Sequence, residues 1–482
     1  MSDGRSIWLV SIPLMGHLGP LLQQGRELAR RGWNVSVATS EEGAGAVARF
    51  PELEFINLGP SHVDREGAGR LLERVTAEPD FGRGLWLIVT ALAEPWGTMY
   101  DGLSAELKRR RPDIMVVDLA STAGLDAADA AGVPFVVNNA DLLTTLPAGL
   151  LPAAPHVPPV LSERSARKPL SAAATALHPL RRVLERGVVS ATVGRMHNKL
   201  RRSRGLPPVD FHQRLLGRLI LVNSAFGLEY PRPLPPLIRM VGPMLPEVET
   251  LPPELDAWLN DGPPVALVSF GTVSAPPSEM LRRVAQGLGS ESFRALWALR
   301  ADLHGELPDD RPAAVRVEAW LPQLAAVLRH PNVRVFVSHC GTNSVQESLV
   351  NGTPVVGIPL FGVQRDMAIR VEDAGVGVHL PKHRFTPADL RGAIERVMDE
   401  AYRANLPALQ SSMRLAGGVT RAADLIEEAA RVGVAHYAEE SYGRRLADGA
   451  GSQETLEARR ANSVVMPSSR WTAHSSGSVT AS

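Results

Sequence analysis

Short β-branched runs alternate with helical segments along most of this chain, and the series starts twice. Ile7–Ile12 is an apolar run, and Pro13 to Gly19 carries turn chemistry. A helix continues from Gly25 to Arg31, with Leu21, Leu22 and Leu28 on one side and Gly32 as its stop, and Val35–Ala38 follows as a strand. Farther on, Ile114–Val117 and Phe135–Val137 are strands on either side of an Ala-rich helix, Ala123–Ala131. The second series has strands at Val265–Ser269, Ala295–Leu299, Val315–Val317, Val333–Val337 and Val355–Ile358, with helices such as Ser278–Leu288 and Ser344–Leu349 between them. Strands separated by helices pair in parallel and need cover on both faces. The fold class is therefore α/β, with two doubly wound, Rossmann-like domains.

The segment between the two series is different. Leu146–Val160 is apolar and Pro-rich and reads as a loop, and Ala172 to Arg204 reads as mostly helical. Leu219–Val222 and Ile238–Val241 read as strands, and the proline-rich, aperiodic stretch from Gly242 reads as a linker. The expected division is 1–241 for an N-terminal domain, 242–256 for the linker, 257–420 for a C-terminal domain, 421–442 for a last helix and 443–482 for a disordered tail. Basic and acidic residues balance at 51 each, which argues against a nucleic-acid partner. Cys340 is the single cysteine, so no internal disulfide forms, and no run of about 20 apolar residues would span a membrane. These features lead us to expect a cytoplasmic protein; oligomeric state is not legible.

Residues 320–368 carry the strongest chemical signal. A strand ends near Val337, and Ser338-His339-Cys340-Gly341-Thr342-Asn343-Ser344 turns from it into a helix. Gly341 permits close backbone approach, and free amides at the helix start, with the positive end of its dipole, suit a phosphate. Glu347 lies one turn farther in, and the indole of Trp320 could stack on a flat base.

This stretch resembles the nucleotide-sugar signature of family 1 UDP-dependent glycosyltransferases, the type found in plant, fungal and bacterial secondary metabolism. Trp320, Pro322, Gln323, Leu328, His330, His339, Gly341, Ser344, Glu347, Gly352, Pro354, Pro359 and Gln364 fall at the family's spacing. The resemblance implies a GT-B fold, two Rossmann-like domains facing across a cleft, and inverting hexosyl transfer from a UDP-sugar. It implies that Trp320, beside Leu321, stacks on uracil and that Gln323 and Glu347 contact the ribose. His339, Gly341, Thr342, Asn343 and Ser344 would hold the diphosphate, with Gly271 and Thr272 as a second diphosphate contact, and Gln364 would meet sugar hydroxyls. Two positions depart from the pattern: Val363 stands where the family usually has Asp, and Met367 where Asn is common.

Pro13-Leu14-Met15-Gly16-His17-Leu18-Gly19-Pro20 follows the first strand and matches the family's N-terminal motif. A hydroxyl is a poor nucleophile at neutral pH, and a histidine at the carboxyl edge of a parallel sheet suits the work of general base. Asp118 ends another strand of that sheet and could orient the imidazole. The plainer alternatives are a histidine that satisfies a turn and an aspartate that caps the next helix. No Asp-x-Asp motif occurs, so no metal or other cofactor is expected, and the UDP-sugar is a co-substrate. Trp86, Trp96, Phe135 and the Leu146–Val160 loop are candidates for an apolar acceptor pocket, or equally for core. The basic run Lys199–Arg204 reads as a solvated helix face. A UDP-sugar epimerase would bind the same donor without an acceptor, and a non-catalytic UDP-sugar-binding protein would not need both His17 and Asp118.

Overall fold

Seven strands form the first sheet: β1 (Ser6–Val10), β2 (Asn34–Thr39), β3 (Glu54–Asn57), β4 (Ile114–Asp118), β5 (Phe135–Asn139), β6 (Ile220–Val222) and β7 (Ile238–Met240). All neighbours pair in parallel, in the order β3-β2-β1-β4-β5-β6-β7. Six more form the second: β8 (Val265–Ser269), β9 (Arg294–Ala298), β10 (Val315–Glu318), β11 (Val333–Ser338), β12 (Val355–Gly357) and β13 (Gly377–His379), ordered β10-β9-β8-β11-β12-β13. The computed structural model describes residues 5–61, 73–78, 80–147, 149–152, 154, 157, 177–271, 276–321 and 323–433. All of them belong to one compact unit. The expected tail, 443–482, lies outside them.

Each sheet is buried on both faces. In β1, Trp8 and Val10 pack into one apolar cluster, while Ile7 and Leu9 pack into another on the opposite face. This is the period-two consequence of a pleated strand. It explains why the strands read as nearly continuous apolar runs. In each sheet the strand order reverses once, between β1 and β4 and between β8 and β11. A crevice opens there at the carboxyl ends, because the loops on either side leave in opposite directions.

Four features depart from the sequence reading. The first helix starts at Met15, not after Gly19, and runs to Arg30 with Pro20 inside it. Two glycines and a proline in its first two turns disguised it. Strands β3 and β13 were not expected, since β3 has only two apolar residues and β13 is three residues long. A helix at Pro253–Asn260 starts inside the stretch expected as linker, with proline at its first turn and Glu254 and Asp256 facing the positive end of the dipole. Finally, the last helix, Gly418–Val432, packs on the first domain. Ala422, Leu425, Ile426 and Ala429 share a cluster with Leu18, Leu21 and Leu28, and Arg31 bridges Asp424 and Glu427 at 2.8 Å each. Gly242 is positioned by this return. It has φ +78°, and a Cβ there would lie 2.9 Å from the Met413 carbonyl.

Candidate active site

Both crevices open onto one cavity of about 940 Å³. On the first domain's side, β1 delivers His17 at the third residue of its helix, and β4 ends on Asp118. Asp118 is fully buried. Its two carboxylate oxygens lie 3.1 and 3.3 Å from His17 Nδ1, and one of them also accepts the Ala120 amide at 2.9 Å. Burial alone would lower the pKa of His17. Asp118 outweighs it by charge and hydrogen bond, Asp141 adds to the effect, and the imidazole is pushed up to about 9. With Nδ1 turned to Asp118, Nε2 is the nitrogen left to the cavity that His17 lines.

Pro20 has a visible purpose here. It has no amide hydrogen to return to the carbonyl of Gly16, four residues back. That carbonyl instead accepts the side-chain amide of Asn343 from the second domain at 2.9 Å. A helix-interior proline thereby becomes part of a contact across the cleft.

On the second domain's side, β11 ends at Ser338 and the helix Thr342–Val350 begins after three intervening residues. Cys340 has φ +64°, the one positive value on a non-glycine among the described residues, and turns the chain sharply at this point. No side chain caps the helix, so its first amides have no intrahelical partner, and Gly341, Thr342, Asn343 and Ser344 line the cavity. His339 is wedged between backbones. A Cβ at Gly271 would come within 2.9 Å of the ring, and one at Gly341 within 2.6 Å. Burial, opposed only by the Ser269 carbonyl, lowers His339 to about 4, so the ring is neutral at pH 7.

The remaining predicted donor residues divide. Trp320 is 57% exposed at the cavity edge, with the Arg49 guanidinium 5.2 Å from its ring centroid, and Leu321 lines the cavity beside it. Gln364 accepts the Leu360 and Phe361 amides through Oε1 at 2.9 and 3.1 Å, which fixes its amide and leaves Nε2 as a donor. Gln323 also lines the cavity, but its amide braces the linker, donating to the Glu247 carbonyl and accepting the Glu249 amide, both at 2.7 Å. Glu347 borders a separate hollow of about 340 Å³ with Leu245, Pro246 and Val248. Burial, opposed by the Ala325 amide, raises its carboxyl to about 7. Val363 lines the main cavity, whereas Met367 is buried in the core. Thr272 and Pro322 lie outside the described residues.

The acceptor-side expectations need correction. Trp96 and Phe135 are core residues; Trp96 donates to Asp126 at 3.1 Å and stacks on Tyr100 at 5.0 Å. Trp86 is exposed on the helix Phe81–Ala93, away from the cavity, while its neighbours Ile88, Val89 and Ala93 line the wall together with Met196, Leu200 and Phe211. Of the Leu146–Val160 loop, Leu146, Leu150 and Leu151 pack into the core. Within Lys199–Arg204, Arg201 is buried against Asp126, so that run is not wholly a solvated face.

Sequence reasoning also missed Asp141. It sits two residues beyond β5 and accepts the Thr342 hydroxyl across the cleft at 2.7 Å. Its place just past the carboxyl end of a parallel strand was the available signal. Among the described residues, no group of three or more His, Cys, Asp or Glu side chains converges as a metal site. No helix among them is long and apolar enough to cross a membrane.

Two parallel-sheet domains meet on one cavity lined by an uncapped helix start and by His17, which is backed by the buried Asp118. Residues 208–414 match the family described as UDP-glucoronosyl and UDP-glucosyl transferase. A UDP-glycosyltransferase of Talaromyces amestolkiae is 28% identical over 471 residues, covering 88% of this chain and 86% of its own length. Human UDP-glucuronosyltransferase 1A9 is 34% identical over 196 residues, 40% of this chain and 36% of its own. Among solved structures, the glycotransferase of kitacinnamycin superposes with a TM-score of 0.64 at 23% identity, covering 89% of this chain and 99% of the other. The chain has the GT-B fold, and its second half carries the match to that family. It is a glycosyltransferase enzyme.

Proposed function

We propose that the enzyme moves a hexose, glucose in the first instance, from a UDP-sugar to a hydroxyl of a small lipophilic acceptor with inversion at the anomeric carbon. The reading rests on one observation: His17, backed by the buried Asp118, and the uncapped start of Thr342–Val350 line the same cavity. His17 Nε2 takes the acceptor proton while the oxygen attacks the anomeric carbon. Asp118 holds the tautomer with the proton on Nδ1 and stabilises the imidazolium that forms. The bond to UDP breaks, and the new charge on its diphosphate is met by the helix amides, so the step needs no metal. Gln364 Nε2 supports hexose binding as a fixed donor; Val363 beside it supplies no charge, which favours a neutral sugar. The apolar wall of Ile88, Val89, Met196 and Phe211 supports a lipophilic acceptor. Cys340, buried with its thiol pushed up by burial, suits a reducing compartment such as the cytoplasm.

The test is UDP release from a panel of UDP-sugars, with and without pooled phenolic, sterol and macrolide acceptors, in the presence of EDTA. Acceptor-dependent release, fastest with UDP-glucose, is expected. Conversion of UDP-glucose to an epimer without acceptor would refute the reading in favour of an epimerase. Release that needs an added divalent cation would refute its metal-free step.

A further inference from the structure

The cavity wall holds a carboxylate that the transfer step does not use. Asp141 lies two residues beyond β5 and lines the cavity. Its Oδ1 accepts the Thr342 hydroxyl at 2.7 Å, and its Oδ2 has no partner among the described residues. Thr342 opens the helix whose amides are assigned to the diphosphate. The same carboxylate acts by charge on His17, at the other end of the reaction path. A group that bonds to the diphosphate end and is felt at the base stands beside the space between them. In an attack on the anomeric carbon, that space holds the hexose.

The surrounding loop keeps the carboxylate there. The Asp141 amide donates to Asn139 Oδ1 at 3.2 Å, and Asn139 Nδ2 donates to the Leu142 carbonyl at 3.1 Å. The next amide, of Leu143, donates to Glu229 at 2.7 Å, and the buried Glu229 is held in turn by Arg370 at 3.0 Å. The Thr144 hydroxyl donates to Asp366 at 3.1 Å, on the helix that begins at Gln364. The loop thus bonds to both second-domain helices to which the donor is assigned. A side chain fixed in this way can select between ligands, because moving it aside would break the contacts around it.

The sign of the charge decides what is selected. A carboxylate accepts hydrogen bonds and donates none. It can take a sugar hydroxyl, and it repels a second carboxylate at a cost that solvent screens poorly inside a cleft. Among the described residues, Arg300 is the one lysine or arginine that lines the cavity, and Asp302 occupies its Nε and Nη2 at 3.1 and 2.6 Å. His17 is matched by Asp118 at 3.1 Å. No unpaired cation therefore lines the cavity, among the described residues, to balance an anionic sugar. Glucose and glucuronate differ only at C6. On a ring held against Asp141, a C6 carboxylate lies within one ring's width of it.

We propose that Asp141 is a specificity-determining residue for the donor: its free oxygen takes a hydroxyl of a neutral hexose, and its charge excludes hexuronates. This rests on the reading of the cavity as the site of a UDP-sugar transferase. The donor is thereby chosen by a residue of the first domain, outside the segment that carries the donor motif.

The experiment compares UDP-glucose with UDP-glucuronate. Binding of each is measured by calorimetry without acceptor, and kcat and KM by acceptor-dependent UDP release, for the wild type, Asp141→Asn and Asp141→Glu. Asp141→Asn keeps an oxygen for Thr342 and loses the charge, whereas Asp141→Glu keeps the charge and shifts the contact. The wild type is expected to bind UDP-glucose at least about tenfold more tightly than UDP-glucuronate. Asp141→Asn should tighten UDP-glucuronate about tenfold and leave UDP-glucose within about threefold, and Asp141→Glu should keep the wild-type preference. The ratio between donors is the readout, because losing the Asp141 charge at His17 alters turnover of both donors alike. Equal binding of the two donors by the wild type, an equal change for both in Asp141→Asn, or a preference lost as fully in Asp141→Glu would overturn the proposal. A donor preference that follows the charge, without any acceptor-dependent release, would uphold the role of Asp141 and overturn only the transfer reading.

Discussion

Replacing Asp118 by Asn should change how the rate depends on pH, not only how large it is. The pair lifts His17 from an ordinary value near 6.5 to about 9. At about 1.4 kcal/mol per pH unit, this is on the order of 3 kcal/mol in favour of the imidazolium. Asp118 supplies more than that, since it also overcomes the burial of the ring. A base must be neutral to accept a proton. In the wild type the neutral fraction, and with it kcat/KM, therefore rises with pH and levels off above about 9. Asp118→Asn removes the anion and keeps the burial, so the rising limb should move to or below the ordinary histidine value. The plateau should fall as well, because the same stabilisation is lost from the imidazolium of the transition state; 3 kcal/mol corresponds to roughly 100-fold. The assay is initial-rate UDP release from pH 5.5 to 10 at low acceptor concentration, with saturating donor. A wild-type limb near 6.5, or a limb near 9 that stays in place in Asp118→Asn, would refute the electrostatic account of the pair.

Three further substitutions probe the cleft. Gly341→Ala drives a Cβ to 2.6 Å from the buried His339 ring, and should weaken UDP binding by at least about tenfold in a calorimetric titration while the fold stays intact. Pro20→Ala returns an amide hydrogen to the Gly16 carbonyl and competes with Asn343; it should raise the donor KM severalfold with little loss of melting temperature, and an unchanged KM would contradict the role given to Pro20. Lys382, lowered to about 8 by burial and still charged at pH 7, donates to the carbonyls of Thr76, Glu78 and Leu360, tying the first domain to the loop before Gln364. Lys382→Met should cost about 2–4 kcal/mol and speed amide exchange in residues 73–78; unaltered exchange there would rule out the tie.

The parallel sheets could be read from the chain because strands buried on both faces are nearly pure apolar runs, as Val265–Ser269 and Val333–Ser338 are. The edges could not: Glu54–Asn57 and Gly377–His379 take their strand form from the neighbour they pair with, not from their own composition. The candidate site was legible where motif residues end a strand or open the helix that follows: Asp118 ends its strand, and His17, Gly341 and Gln364 lie at helix starts. It was not legible where contacts join residues far apart in sequence. Nothing near Asp141 announces Thr342, nothing near Gly16 announces Asn343, and the apolar look of Trp96 hides its bond to Asp126. Gln323 and Glu347 show the converse. The resemblance implies ribose contacts for both; the first lines the main cavity with its amide braced by the linker, and the second borders a separate hollow.

The most direct test of the central claim is the His17→Ala variant, assayed for UDP binding by calorimetry and for acceptor-dependent UDP release at pH 9. The proposed diphosphate contacts all belong to the second domain, so the account predicts UDP affinity within about threefold of the wild type and transfer reduced by at least about 100-fold. Transfer near the wild-type rate with UDP binding intact would contradict the assignment of His17 as the base.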